Sequence, residues 1–312
     1  MKACFIGLGS IGTRHCLNLT QICKEQDLSL KIHALRATDK PLRESLSGIT
    51  ITPLRSYDEM DEDYDAIFLT NPTSLHYETL RRVCGKARCF FIEKPVFERT
   101  NEDIEDLPLR KDAICYVAAP LRYTGVLREA QKVTAAHRVY SARAISSSYL
   151  PDWRPGIDYR ETYSAHREMG GGVSIDLIHE WDYLTMLFGF PNRIYSIIGK
   201  YSDLEIDSDD LAAYIAAYDD KTIEVHLDYF GKKTQRYLEL LTDVGTYLFD
   251  IANATVHFPD GKELRLTESV NGRYLEEMRS FLRLVNGTCR ISGNSIEHAV
   301  RVLKLTKGLN SQ

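Results

Sequence analysis

Short runs rich in β-branched and aromatic residues alternate with longer stretches of helical period over residues 1–118. The runs KACFIG, KIHALR, AIFLT, CFFIEKP and AICYVA read as strands. Helices are predicted from about Ser10, after the first run, and from about Thr73, after the third. Strands joined by helix-length crossovers pair in parallel, with right-handed connections. The pattern therefore predicts an N-terminal α/β domain with a doubly wound parallel sheet, the Rossmann arrangement.

Residues 119–312 follow a different pattern. A connecting helix near 124–136 precedes VYSARAISSSYL, an irregular stretch to about residue 169 and an apolar helix over 174–188. RIYSIIGKY, LAAYIAAY, TIEVHLDYF, RYLELLT, GTYLFDI and ATVHF then read as strands. Consecutive strands with short turns, one of them at Asp219, Asp220 and Lys221, predict an open, mainly antiparallel sheet in a C-terminal α+β domain. Helices near 272–287 and 295–308 close the chain. At 312 residues it is long enough to bury two cores, one in 1–118 and one in 119–312.

The helix within GGGVSIDLIHEWDYL (170–184) carries a polar stripe. At about 100° per residue, Asp176, His179, Glu180 and Tyr183 fall on one side, Ile175, Leu177, Ile178, Trp181 and Leu184 on the rest, and Asp182 off the stripe. Such a helix is expected to lie on the sheet with its stripe turned toward the first domain, and its buried polar groups need partners.

Composition sets limits on partners. With 44% hydrophobic and 27% charged residues and a formal net charge of -5, no basic block stands out, which argues against a nucleic-acid surface. The longest apolar runs fall well short of the roughly 20 residues of a membrane span. The N-terminus also lacks the basic-then-apolar order of a signal peptide, so a cytoplasmic location away from membranes is expected. Seven cysteines form no C-x-x-C pair, which predicts buried, reduced thiols. HEWDY begins like the zinc signature H-E-x-x-H but has Tyr183 where the second histidine must stand, so no metal is expected.

GLGSIG, with Gly7, Gly9, Ser10, Ile11 and Gly12, directly follows the first strand and opens a helix. Here the first glycine permits a tight turn, the second lets the backbone approach a pyrophosphate, the third lets helix and strand pack, and the helix N-terminus holds the anion. The second strand ends in KIHALRATDK, with Arg36 where an NAD site usually places an acid against the ribose 2′-hydroxyl. An arginine there suits a 2′-phosphate, with Thr38 and Lys40 nearby, but also suits stacking on adenine. The cofactor is thus NAD or NADP, with Arg36 favouring NADP. Two more segments follow strand ends on the carboxyl side of the sheet: Asn71, Pro72, Thr73 and His76 in TNPTSLH, and Glu93, Lys94 and Pro95 in EKP. Pro95 stops its strand and presents Lys94 at the end.

In GLGSIGTRH, NPTSLH, EKP, LRY at 121–123, the GGG helix and DVGTYLFD at 243–250, the chain resembles the Gfo/Idh/MocA oxidoreductases over essentially its whole length. The resemblance implies hydride transfer between NAD(P) and a sugar or sugar-like carbon. It places Lys94, often followed by a cis-proline, beside the nicotinamide, and assigns a catalytic histidine and acid to His179 and Asp176. Many members carry the acid four residues before the histidine, where this chain has Ile175. Asp176 stands three before His179, which on a helix still shares its face. Arg122 and Tyr123 match the arginine-aromatic step that follows the family's first domain.

The chemistry is coherent with these residue types. Oxidising an alcohol needs a base for the hydroxyl proton, a role for which an imidazole such as that of His179 is suited. Asp176 is expected to set its tautomer, and Lys94 to stabilise charge developing on the oxygen. Glu180 and Tyr183 are expected in support, and Asp182 outside the chemistry. Trp153, Arg154, Tyr159, Arg160, Tyr163, His166 and Arg167 precede the helix in a loop suited to a sugar ring and an attached anion. Its WRP, DYR and YSAHRE strings resemble members linked to bacterial surface-polysaccharide or sialic-acid-like sugar metabolism. Two other readings stay open: a retained-cofactor epimerase or glycoside-cleaving enzyme using transient oxidation, and a non-catalytic dinucleotide sensor. A homodimer or homotetramer is expected, with Tyr214, Ile223, Val225, Leu227 and Tyr229 as an apolar sheet face.

Overall fold

The computed structural model describes residues 1–38 and 40–309. The chain forms β1 (Lys2–Ile6), α1 (Ser10–Glu25), β2 (Lys31–Leu35), β3 (Ile51–Leu54), β4 (Tyr64–Leu69), α2 (His76–Val83), β5 (Ala87–Ile92) and β6 (Ile114–Val117). There follow α3 (Gly125–Ala136), β7 (Val139–Tyr149), α4 (Val173–Asp176), α5 (His179–Phe188), β8 (Arg193–Gly199), β9 (Leu211–Ala217) and β10 (Thr222–Asp228). The last elements are β11 (Phe230–Thr242), β12 (Gly245–Asp250), β13 (Thr255–His257), β14 (Glu263–Arg265), α6 (Gly272–Val285) and α7 (Ile296–Thr306). Two compact units result: Met1–Pro120 with Val270–Val300, and Leu121–Ser269 with Arg301–Gln312, whose residues 310–312 lie outside the description. The uninterrupted second segment expected over 119–312 is therefore divided, because residues 270–300 return to the first unit.

The first unit is a six-stranded, wholly parallel sheet in the order β3-β2-β1-β4-β5-β6. Strand β3, ITPL, was not among the predicted runs. It is four residues long and contains Pro53, which an edge strand tolerates because one row of its amides needs no partner. The six strands end in register, with Leu54, Leu35, Ile6, Leu69, Ile92 and Val117 side by side. Their successors Arg55, Arg36, Gly7, Thr70 and Glu93 thus follow in a row along the carboxyl edge, where open α/β sheets bind ligands.

Helix α6 completes this unit's core. Its Phe281 is fully buried and meets Phe68, Phe91 and Tyr116 with ring centroids 5.5, 5.2 and 6.0 Å away, within the range of favourable aromatic pairs. One turn earlier, buried Glu277 accepts hydrogen bonds from Tyr116 Oη at 3.0 Å and from the Ala119 amide at 2.5 Å.

The second unit is an eight-stranded sheet, β14-β13-β12-β11-β7-β10-β9-β8, antiparallel except between β7 and β10. The predicted hairpin joins β9 to β10, closed by the Tyr218 amide on the Lys221 carbonyl. On the inner face large residues sit opposite small ones: Val225 between Tyr214 and Ala144, Ile223 between Ala216 and Ala142. Tyr214, Ile223, Val225, Leu227 and Tyr229 are all at most 3% exposed. This corrects the expected subunit face, since those side chains are covered within the chain; Trp181 of α5 stacks edge-on against Tyr214 at 5.3 Å. The outward apolar residues are instead Tyr195, Ile197 and Ile215, each more than half exposed.

Among the described residues no helix is long and apolar enough to cross a membrane. All seven cysteines are unpaired, and six of them are buried.

Candidate active site

At the carboxyl edge of the first sheet, Gly7 adopts φ of +91°, and a Cβ there would lie 2.9 Å from the Asn71 amide nitrogen. A Cβ on Gly12 would come within 2.5 Å of the Gly7 carbonyl, which already accepts a hydrogen bond from Thr70 Oγ1 at 2.5 Å. Gly9, at the N-terminus of α1, has open space around the same position. The turn is closed where helix must meet strand and open where a pyrophosphate would approach the backbone, so these residues fit a dinucleotide. Ser10 and Ile11 form the first turn of the 16-residue α1, which has no acid in that turn to compete with an anion.

Beside this loop, Arg36, Ala37, Thr38, Pro53, Leu54 and Arg55 line a cavity of about 170 Å³. Among the described residues no carboxylate lines it, and Arg36 donates to the Lys40 carbonyl. The sequence offered Arg36 and Thr38. Arg55 became visible only through the pairing of β3 with β2.

Asn71 donates from Nδ2 to Thr79 Oγ1 at 2.9 Å, and Pro72 leads into the turn before α2. His76 was expected to meet the cofactor, but its ring is fully buried, with Nε2 3.0 Å from the Asn71 carbonyl and Nδ1 3.1 Å from the Val96 carbonyl. Burial lowers its pKa, so the neutral ring donates to one of the two. It clamps the Asn71 turn to the segment after β5, and its role is architectural. Lys94 is half-buried directly beyond β5, and its bond to Pro95 is cis. Glu93 is held by His15, Nε2 to Oε1 at 2.5 Å, while its other oxygen accepts the Lys94 amide at 3.1 Å.

In the second unit the predicted helix over 174–188 is broken. Helix α4 ends at Asp176, Leu177 leaves helical geometry at φ −96°, ψ 30°, and α5 starts at His179. The junction is bridged by tight bonds three residues apart, Ile178 to Ile175 and Glu180 to Leu177. The uniform rotation that put Asp176, His179, Glu180 and Tyr183 on one stripe therefore fails at Leu177. The carboxylates instead find partners within their own unit. Asp176 accepts from Tyr163 Oη, Ser164 Oγ and Tyr229 Oη, each at 2.6 Å. Burial, reinforced by the adjacent Asp176, raises the pKa of both tyrosines, so they stay protonated donors. Glu180 is fully buried and pairs with Arg236 at 2.8 Å. Tyr183 is also fully buried, and among the described residues its hydroxyl has no hydrogen-bond partner. His179 remains half-buried at the start of α5.

Removing the Asp176 carboxylate strands three hydroxyls. Each buried polar group left unpaired costs about 1–3 kcal/mol. We expect Asp176→Ala to destabilise the protein by about 3 kcal/mol or more in urea unfolding. A loss below about 1 kcal/mol means the triple acceptor is not a structural tie.

The loop residues divide by partner. Trp153 donates from its indole nitrogen to Ser148 at 3.0 Å and stands edge-on to Tyr229 at 5.2 Å. The Arg154 guanidinium lies 5.5 Å from the Tyr163 ring centre, and Tyr159 Oη accepts the Glu205 amide at 3.2 Å. His166 is half-buried and Arg167 exposed. Arg160, expected to fork a substrate anion, is bound by Asp158 at 2.7 Å and Glu205 at 3.0 Å. Arg122, expected beside the substrate from the arginine-aromatic step, makes a two-pronged pair with Asp182, both contacts at 2.8 Å. Both side chains of that pair are about nine-tenths buried, so Arg122 and Asp182 hold the Leu121–Tyr123 turn to α5. Tyr123 ends that turn.

A family model described as an oxidoreductase family with an NAD-binding Rossmann fold, GFO_IDH_MocA, matches residues 1–110. That match is confined to the nucleotide-binding region at the start of the chain. An uncharacterized oxidoreductase, YrbE of Bacillus subtilis (strain 168), is 25% identical over 190 residues, which is 59% of this chain and only 52% of that protein. The match thus spans about half of the curated relative's length. Levoglucosan dehydrogenase, solved with NADH and levoglucosan, has a TM-score of 0.83 at 15% identity, covering 99% of this chain and 96% of its own. The myo-inositol 2-dehydrogenase of Lactobacillus plantarum has a TM-score of 0.75 at 20% identity, covering 98% and 95%. At such identities these structures establish a shared fold.

Several residues that shape the site carried no site assignment from sequence. His15, Arg55, Ser164 and Tyr229 act through contacts far apart in the chain. Asp209, which caps α4 through the Ser174 amide at 2.8 Å, is 35 residues away from it. His15 alone left a signal, as a polar residue one turn past Gly12 on the side of α1 that must face the sheet.

Proposed function

We propose that the protein is an NADP-dependent oxidoreductase that transfers a hydride between the nicotinamide and a hydroxyl or carbonyl carbon of a sugar, sugar acid or nucleotide sugar. The observation that carries this reading is the row at one sheet edge: arginines, then an open glycine turn, then a lysine at a strand end. The bound dinucleotide supplies the hydride acceptor or donor. Gly7 to Gly12 and the α1 N-terminus hold its pyrophosphate, and Arg36, Thr38 and Arg55 take the 2′-phosphate. Lys94 hydrogen-bonds the substrate oxygen and stabilises its charge, while His179 receives the hydroxyl proton. Asp176 orients the segment entering α5. The printed names of the structural relatives, an inositol and an anhydrosugar dehydrogenase, support a polyhydroxylated substrate.

The test is a panel of sugars, sugar acids and nucleotide sugars, followed at the nicotinamide absorbance with NADPH and NADH in parallel. Substrate-dependent turnover with NADPH favoured over NADH is the expected result. Absence of binding of either dinucleotide overturns the reading.

We also propose self-association through the outward sheet face. Tyr195 pairs directly with Ile215 across β8 and β9, beside exposed Ile197, which supports an apolar contact surface. Sedimentation is expected to give a dimer or tetramer, with Ile215→Glu shifting it toward monomer. A monomeric wild-type protein refutes the proposal.

A further inference from the structure

We propose that His15 is a positioning residue for Lys94, acting through Glu93. The inference rests on the reading that this sheet edge takes a nicotinamide dinucleotide, and concerns a residue to which that reading gives no part.

His15 lies on α1 one turn beyond Gly12 and is fully buried. Its ring packs against Phe91 at 4.7 Å and Tyr274 at 6.2 Å between centroids. Among the described residues its Nδ1 has no hydrogen-bond partner, so the imidazole has one polar anchor, Glu93 Oε1 at 2.5 Å. A buried polar ring held against aromatic side chains at one point costs free energy that an apolar residue of similar size avoids. Its presence is explained if that one contact sets the direction of something else.

Glu93 is what it directs. Burial raises the Glu93 carboxyl, but the His15 hydrogen bond and the charges of His15 and Lys94 outweigh this and hold it below its usual range. The carboxylate is then committed on both sides, one oxygen to His15 and the other to the Lys94 amide. The Lys94 backbone is thereby tied to α1, the same helix whose first turn forms the phosphate loop. An anion seated at Gly9 and the lysine that must meet the substrate oxygen are joined through four consecutive connections: Gly9 to α1, α1 to His15, His15 to Glu93, Glu93 to Lys94. Positioning of this kind governs whether a catalytic group lies within reach of its target, where small displacements have large effects.

The test uses NADPH as the probe and two variants chosen for packing. His15→Leu keeps an apolar side chain between Phe91 and Tyr274 and removes the donor. His15→Gln places an N–H near the position of Nε2. Two quantities are read: NADPH affinity by nicotinamide fluorescence, and protection of Lys94 from reductive methylation at saturating NADPH, by peptide mass spectrometry. Loss of a charge-assisted hydrogen bond corresponds to about a tenfold change or more. His15→Leu is expected to lose about tenfold in affinity and most of the Lys94 protection, while His15→Gln recovers both. A purely structural role lowers the melting temperature of either variant without selective recovery of Lys94 protection in the glutamine variant, and that outcome overturns the proposal. Wild-type affinity and protection in His15→Leu also overturn it. Should the leucine variant not fold, His15→Asn serves in its place, its shorter donor being expected to protect Lys94 less than glutamine does; equal protection overturns the proposal. A wild-type protein that binds neither NADPH nor NADH overturns the functional reading itself, and is recognised before any variant is made.

Discussion

Lys94→Ala is expected to lower turnover on the substrate identified by the panel by about 10²–10⁴-fold while leaving NADPH bound. The lysine is half-buried just beyond β5, and a hydrogen bond from it to a developing alkoxide gains strength as bound ligands exclude solvent. His179→Ala is expected to cost a similar factor. On the roles proposed for them, the double variant should fall little below the worse single one. Rates multiplying independently argue for separate roles, and a near wild-type His179→Ala removes it as the base. Tyr183 offers no substitute, since its hydroxyl is buried and burial raises its pKa well above the usual value, with nearby Glu180 adding to the shift.

The second large effect concerns cofactor choice. Arg36→Ala with Arg55→Ala is expected to weaken NADPH by about 10–100-fold and to change NADH by no more than about twofold, because only the former carries the 2′-phosphate that the two arginines are proposed to take. Titration of both dinucleotides checks it. Equal losses for the two would mean that the arginines serve the adenine or the fold. The cavity of about 170 Å³ beside Arg36 and Arg55 has the chemistry for a phosphate, with no carboxylate among its described lining residues.

Much of the fold was legible because its signals are local. Alternation of strand runs with helix-length segments specified the parallel sheet, and the turn at Asp219 to Lys221 specified a hairpin. Strand β3 was not legible, being short, proline-containing and at an edge. The glycine turn was legible to the residue, since Gly7 and Gly12 meet steric demands that no other side chain satisfies. The polar stripe was misread for a definite reason: a helical wheel assumes constant rotation, and Leu177 interrupts it. Neither could sequence assign Arg122 to Asp182, 60 residues away, nor Asp176 to Tyr229, 53 residues on. Arginines and aromatics in a loop looked like ligand contacts, and several proved to be held by carboxylates or hydroxyls of the same unit.

The return of residues 270–300 to the first unit also bears on how the chain is made. A ribosome delivers all six strands of the parallel sheet by Val117, but Phe281, which covers Phe68, Phe91 and Tyr116, follows only after every strand of the second sheet. Until then that aromatic surface and the amide of Ala119 await their partners, so the nucleotide-binding unit is begun before the second unit's sheet is made and finished only after it.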